Sequence, residues 1–444
     1  MMPRKTLVSL YCCLFFLRVF AQPEDYIFAH VGVTSGLSNN HVTAIYKDTR
    51  GFMWFGTEAG LNRYDGYQFR VFKQDDRNPY SIADNYIEQI FEGPGGRMWV
   101  ESRKRRFNIY DADLDRFDPH YGTYLHGLGL PEPDYDLVTI APSARGYWFV
   151  YRDSGLYHYI NGGGIVAIKP GVTRPGLAVS GGAVSGDALT PTPIATARED
   201  GNGDCWVIHE GGLLEKIDGR THRVVFRTTV LVKEFGDVPV TSCLLFIDRD
   251  NDLWITSNGV FKGTLFYDPA TLTLRHFALD VGERRLNSNI VLTVLQDGKG
   301  LIWLATDHGG VDIIDKRTWD VRFVGHIEDD NKSIAENSIT TLYRDNSGTV
   351  WLGSYKSGIS YCHQDNFQFP QYRQVPHVPG TLSYDDVNGF VEDAAGNIWI
   401  AANGGGLIYF DRKRNTFRQW LHDPKNPGSL CSNILVNLLL DKEG

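Results

Sequence analysis

Two acidic turns are the first places in this sequence where residue types and spacing could hold an ion. Asp248-Arg249-Asp250-Asn251-Asp252 and Asp200-Gly201-Asn202-Gly203-Asp204 alternate oxygen-bearing side chains as the start of a calcium loop does. Neither has the glycine at the sixth position or the later glutamate that completes such a loop, so the expectation is a solvated hairpin turn, with no metal and no cofactor. Positive charge gathers instead at Glu101-Ser102-Arg103-Lys104-Arg105-Arg106-Phe107, where other stretches of similar sequence carry a glycine-rich turn. Guanidinium groups grip carboxylate and sulfate through paired hydrogen bonds, which makes Arg103, Lys104 and Arg105 candidates for binding an acidic or sulfated oligosaccharide. A solvated charge run is the plainer alternative.

Catalytic signatures do not stand out. HExxH, the P-loop and GxSxG do not occur, and the glycine clusters at 162–164, 181–182 and 404–406 do not follow strands in a dinucleotide-binding pattern. Paired carboxylates abound in so acidic a chain, but spacing singles out no pair. A secreted glycosidase or lyase is therefore the alternative to a non-catalytic binding protein, and a protein-interaction scaffold is a third reading.

A repeat sets the elements that must position these groups. Trp54, Trp99, Trp148, Trp206, Trp254, Trp303, Trp351 and Trp399 follow one another at intervals of 45, 49, 58, 48, 49, 48 and 48 residues. Each unit parses into four strands of about five residues, in the first unit 41–47, 52–56, 61–65 and 68–72. Asp48-Thr49-Arg50-Gly51 is the turn between the first two, with Asp as cap and Gly supplying positive φ. No helical period of useful length competes. The prediction is an all-β fold, a seven-bladed β-propeller of four-stranded antiparallel blades with the tryptophans buried between them. Segment 26–31 reads as the fourth strand of the seventh blade, closing the ring; 22–366 then forms one propeller, and 367–444 the truncated start of a second.

In a propeller the loops from fourth to first strands and from second to third strands meet on one face around a central funnel, and loops commonly carry recognition. That face is expected to gather His41, Asp307, His308, Tyr355 and Lys356 as ligand-binding residues beside the basic hairpin, with Asn39, Asn40, Glu58, Asn85, Tyr86 and Asn337 nearby. Asparagine recurs ahead of the first strand (Asn40, Asn85, Asn289, Asn337, Asn433), where capping a turn is its simpler role.

The 444 residues, 42% hydrophobic and 22% charged, have ordinary globular composition. Arg4 and Lys5, an apolar run at 7–20 broken by Arg18, and Val19-Phe20-Ala21 read as a secretory signal peptide over 1–21, too short and interrupted for a membrane span. Net charge is −9, and setting the 41 Lys and Arg that remain after residue 21 against 53 Asp and Glu gives −12, which argues against nucleic acid as a partner. Cys205, Cys243, Cys362 and Cys431 are too scattered for a disulfide framework, and there is no CxxC.

The strings GLSNNHVTAIYKDTRGFMWFGTEAGLNRYDGYQF, SIAENSITTLYRDNSGTVWLGSYKSGI and TLSYDDVNGFVEDAAGNIWIAANGGGLIYFD resemble the two-component regulator propeller repeats found in periplasmic sensors of Bacteroidetes hybrid two-component systems. The resemblance extends over nearly the whole chain after residue 21 and is weakest at 134–227, where the Gly-Thr after Trp is lost. It implies a glycan sensor made of two seven-bladed propellers, an immunoglobulin-like domain, a membrane helix and a histidine kinase, controlling glycan-utilisation genes. On that resemblance this chain is a periplasmic, non-catalytic sensing region. Its implied partners are an oligosaccharide, the remaining sensor and kinase domains of a parent protein in the inner membrane, and a second copy in a homodimer.

Overall fold

The computed structural model describes residues 26–93, 96–103, 106–131, 137–171, 188–232, 243–257, 261–281, 285–363, 372–374 and 380–441. The segment read as a signal peptide lies outside them. Among the described residues no helix is long and apolar enough to cross a membrane.

The described elements are eight four-stranded antiparallel sheets, a short helix at Tyr121–Gly127 that the sequence reading did not anticipate, and one 3-10 turn at Val33–Ser35. In the first sheet Val42–Lys47, Met53–Thr57, Gly60–Tyr64 and Phe69–Phe72 pair in order, each within about a residue of its expected bounds. The chain forms two compact units, and each is described by itself. Ile27–Asn366 holds seven sheets, here blades 1 to 7, at residues 42–72, 87–118, 137–168, 194–228, 243–277, 291–324 and 339–363. The fourth strand of blade 7 is Ala29–Val31, with Ala29 opposite Tyr361, His30 opposite Ser360 and Val31 opposite Ile359. Blades 7 and 1 are neighbours: Thr340 Oγ1 donates to the Val42 carbonyl, and the rings of Trp351 and Phe55 lie 5.8 Å apart. The fold is a β-propeller.

Between blades the packing follows from the repeat. Trp54, Trp99, Trp148, Trp254 and Trp303 have no exposed surface, and Trp54 packs against Ile87, Ile90 and Val100 of the next blade. The glycine after some of these tryptophans is there because the next blade leaves no room. A Cβ on Gly56 would stand 2.7 Å from Ile87, and one on Gly353 2.8 Å from Val42. The turn aspartate holds more than its turn. Asp48 Oδ1 accepts the N–H groups of Arg50 and Phe52, and Oδ2 accepts the indole N–H of Trp54 at 2.9 Å. The same latch joins Asp200 to Trp206, Asp248 to Trp254, Asp297 to Trp303 and Asp345 to Trp351, at 3.0, 3.0, 3.1 and 3.4 Å.

Blades 2 and 3 depart from it. Gly93 stands at the aspartate position of blade 2, and the buried Trp99 Nε1 has no hydrogen-bond partner; a Cβ on Gly93 would meet that nitrogen at 2.3 Å. In blade 3 the position is Pro142, and Trp148 donates instead to Glu199 of blade 4 at 2.6 Å while stacking on His158 at 3.9 Å. The second unit, Phe367–Gly444 with Met1–Tyr26, contains the eighth sheet, formed by Val387–Glu392, Ile398–Ala402, Gly406–Asp411 and Thr416–Trp420.

Candidate ligand-binding face

The loop face is held in place by backbone bonds that recur from blade to blade. The residue leaving the second strand donates its N–H to the carbonyl of the residue entering the first: Arg103 to Tyr86, Asp307 to Ile290, Tyr355 to Ser338 and Glu58 to His41, at 3.1, 3.0, 3.0 and 3.3 Å. One loop position per blade is thereby set in the same place, and its side chain is free to vary without cost to the fold. The recurring asparagines serve as ties between blades. Asn40, Asn85, Asn289, Asn337 and Asn433 each accept a loop N–H on the side-chain oxygen, from Val33, Gln74, Leu279, His326 and His422. Their main-chain carbonyls accept the N–H of Gly358, Gly60, Gly263, Gly310 and Gly406. Asn40, Asn85 and Asn337 are therefore committed to structure.

The remaining candidates form an arc over blades 6, 7, 1 and 2. His41 Nδ1 lies 2.9 Å from Glu58 Oε1, and the His41 ring is 4.5 Å from Tyr355 and 6.2 Å from Tyr86. Arg103 extends the arc by lying over the Tyr86 ring at 4.2 Å, and the Lys356 ammonium is 5.5 Å from the Tyr355 ring. On the other side Ser338 donates its hydroxyl to Asp307 at 2.8 Å, and Asp307 faces His308 Nδ1 at 2.8 Å. A depression of about 720 Å³ is lined here by Asp307, His308, Glu336, Ser338, Tyr355 and Lys356. Tyr355 is 48% exposed, so an apolar ring face is open to solvent among hydrogen-bonding groups. The structure thus brings His41, Asp307, His308, Tyr355, Lys356 and Arg103 onto one face; Lys104 and Arg105 lie outside the described residues. Glu336 and Ser338 were not singled out from sequence, although both flank the recurring Asn337.

The acidic turns lie at the other end of the first strands and already hold a cation. The carboxylates of Asp248, Asp250 and Asp252 converge within 4.8 Å of one another, and the Lys316 ammonium is hydrogen-bonded to all three, at 2.6, 2.8 and 2.5 Å. Lys216 bridges Asp200 and Asp204 in the same way, at 3.0 and 2.9 Å. Burial works against the Lys316 charge but its three carboxylates outweigh that, so its pKa is raised. These turns read as structural ion pairs.

One hydrogen-bonded chain has the order of a nucleophile, a base and its orienter: Ser143 Oγ lies 3.1 Å from His158 Nε2, and His158 Nδ1 lies 2.9 Å from His222 Nε2. His158 is fully buried, and burial together with the His222 ring drives its pKa down to about 4. It braces Trp148 where the aspartate latch is missing, with no surface for a substrate to reach.

A sheet meander repeated around an axis, with a polar face built from loops, defines a β-propeller. The two-component regulator propeller family matches residues 36–59 and 333–356, in and just ahead of blades 1 and 7, and the chain carries repeats of this family. Over 63 residues it is 33% identical to histidine kinase P4 of Formosa agariphila, a match covering 14% of this chain and 5% of that protein. The extracellular domain of a hybrid two-component system from B. thetaiotaomicron shares the fold with a TM-score of 0.65 at 22% identity, over 94% of this chain and 51% of that one. A second such domain from B. thetaiotaomicron gives a TM-score of 0.51 at 18% identity, over 94% and 50%. The chain thus spans about half the length of these solved domains.

Proposed function

We propose that this chain is the exported, non-catalytic sensing region of a two-component sensor and that it takes an oligosaccharide on the loop face of blades 6, 7, 1 and 2. The arc from Asp307 through Tyr355 and His41 to Arg103 carries this reading. It combines exposed ring faces with donors and acceptors suited to sugar hydroxyls, on loops fixed by main-chain bonds. Arg103 and Lys356, cations on the face of an acidic chain, favour a uronate or sulfated sugar. The family match and the fold shared with extracellular domains of two-component systems support a sensor outside the cytoplasm. The kinase then belongs to other parts of the parent protein, which controls glycan-utilisation genes, and the sheet of residues 387–420 belongs to a second propeller.

Calorimetric titration of neutral and acidic oligosaccharides against the wild type, Tyr355→Ala and Arg103→Ala tests the reading. Saturable binding without turnover is expected, at least tenfold weaker in Tyr355→Ala and with the preference for acidic sugars reduced in Arg103→Ala. Turnover of the sugar would overturn the non-catalytic reading, and unchanged affinity in both variants would move the site elsewhere.

A further inference from the structure

Blades 2 to 6 enclose a channel of about 430 Å³ walled mainly by residues of their first strands, with Glu101 and Thr256 from second strands. Leu292 lines both this channel and the depression on the loop face, so the two adjoin. The walls mix hydroxyls and apolar groups, with Glu88, Glu101 and Arg198 as the charged residues among the described lining. Arg198 is the fifth residue of Ile194–Glu199, which places it farther from the loop face than the other first-strand residues of the wall.

Two observations set this channel apart from a plain solvent-filled axis. Arg198 occupies the strand position directly opposite the repeat tryptophan, where blades 1, 2, 3, 5, 6 and 7 carry Tyr46, Phe91, Ala141, Phe246, Leu295 and Tyr343. It is the one charged residue in that series, and among the described residues no carboxylate pairs with it and no acceptor receives its hydrogen bonds. Burial depresses its pKa, as expected of a guanidinium with no counter-charge. The second observation is Thr139, a residue of the channel lining that is 5% exposed and whose buried Oγ1 has no hydrogen-bond partner. A half-buried cation with no counter-charge and a buried hydroxyl with no partner are groups that a bound anion with acceptor oxygens would satisfy.

We propose that the channel is the anion-receiving part of the ligand site, where Arg198 grips a carboxylate or sulfate carried by the end of the ligand and Thr139 hydrogen-bonds the same unit. The inference rests on the loop-face reading above and narrows it to a ligand that enters end-on, leading with its charged residue. Glu88 and Glu101 on the wall of blade 2 disfavour a second negative charge and suit the hydroxyls of the same ring.

Titration of the full chain with glucuronate, inorganic sulfate and glucose at matched ionic strength separates the chemistries. Glucuronate is expected to bind saturably and glucose not to; a response to sulfate as well would assign the grip to the anion alone, and glucuronate without sulfate to the carboxylated ring. Arg198→Gln should weaken glucuronate at least tenfold, Arg198→Lys should restore part of it, and Thr139→Val should cost severalfold. Circular dichroism melting of each variant establishes that it folds. No heat from either anion with the wild type, or equal affinity in Arg198→Gln, would overturn the proposal. Oligosaccharide binding that responds to Tyr355→Ala but not to Arg198→Gln would leave the loop-face reading standing and sink the channel. Loss of glucuronate in Arg198→Gln with no effect of Tyr355→Ala on any sugar would do the reverse.

Discussion

Blades 6 and 2 follow one strand plan and satisfy their buried polar groups in opposite ways. In blade 6 Asp297 accepts the N–H groups of Lys299 and Leu301 and the indole of Trp303, so turn and core are tied by a single carboxylate. Blade 2 has Gly93 there, and its Trp99 N–H is buried without a partner. At the third-strand position that accepts a loop N–H the contrast runs the other way. Asn108 of blade 2 accepts from Ala83 but leaves its own Nδ2 unpaired, whereas Asp312 of blade 6 accepts both the N–H and the side-chain amide of Asn287. Among the described residues blade 6 leaves no buried side-chain donor unmet and buries a carboxylate to do it; blade 2 leaves two orphaned. The repeat therefore fixes shape through apolar burial, with polar satisfaction redundant enough to be incomplete in blade 2 and, at single atoms, in blades 3, 5 and 7.

The largest effect that tests this comparison is removal of the shared element. Trp303→Ala should lower stability by roughly 3–5 kcal/mol, read as a shifted denaturant midpoint, and a cost under half of that would mean the blades do not lean on the indole. Next is the buried carboxylate of Asp312. Burial raises its pKa to about 6 against hydrogen bonds from Asn287 that lower it. The folded protein thus holds a proton that the unfolded chain has released. Asp312's contribution to stability is full below pH 3.8 and is lost as pH rises through about 6. Asp312→Asn, which carries blade 2's residue into blade 6, should flatten stability between those limits and gain at most about 3 kcal/mol at pH 7. An unchanged pH profile would refute the assignment.

Glu215 marks the same structural position in blade 4, opposite Val207 as Asp312 is opposite Leu304, with the reverse sign. Burial acts to raise its pKa, but hydrogen bonds from His209, Arg227 and Thr190 outweigh that and hold it at about 2. Its contribution is therefore present above about 4.5 and lost as pH falls toward about 2.

Smaller effects sharpen the contrast. Asp297→Ala should cost about 2 kcal/mol by orphaning the Trp303 indole and two turn amides, and calorimetric melting reads it. Trp303→Phe should cost about 1 kcal/mol more than Trp99→Phe, because only the former strands a buried acceptor; equal costs would show the latch to be energetically idle. Tyr355→Ala, on the loop face, should change stability by less than about 0.5 kcal/mol.

Strand bounds, the blade plan and the burial of the tryptophans were legible because a 48-residue period with Asp-to-Gly turns admits few alternatives. The aspartate latch was half legible: capping is a local property that a turn motif displays, while the bond to an indole six residues on depends on how the hairpin folds back. The helix at Tyr121–Gly127 was missed because seven residues are too few for a helical period to show, and it persists by packing Leu125 and Tyr124 against Phe107 and Trp99.

By itself the sequence determined the repeat, its turns and the loop positions where residues could vary, since each of these is set by neighbours in the chain. Ring closure decided the rest. It alone puts His41 beside Tyr355, from opposite ends of the seven-sheet unit, and it leaves Arg198 and Thr139 facing one channel without partners. A lysine likewise reaches the acidic turn of the preceding blade, where Lys316 holds the place a metal ion would take. Such pairings link residues with no shared periodicity, so they exist only once the blades pack side by side.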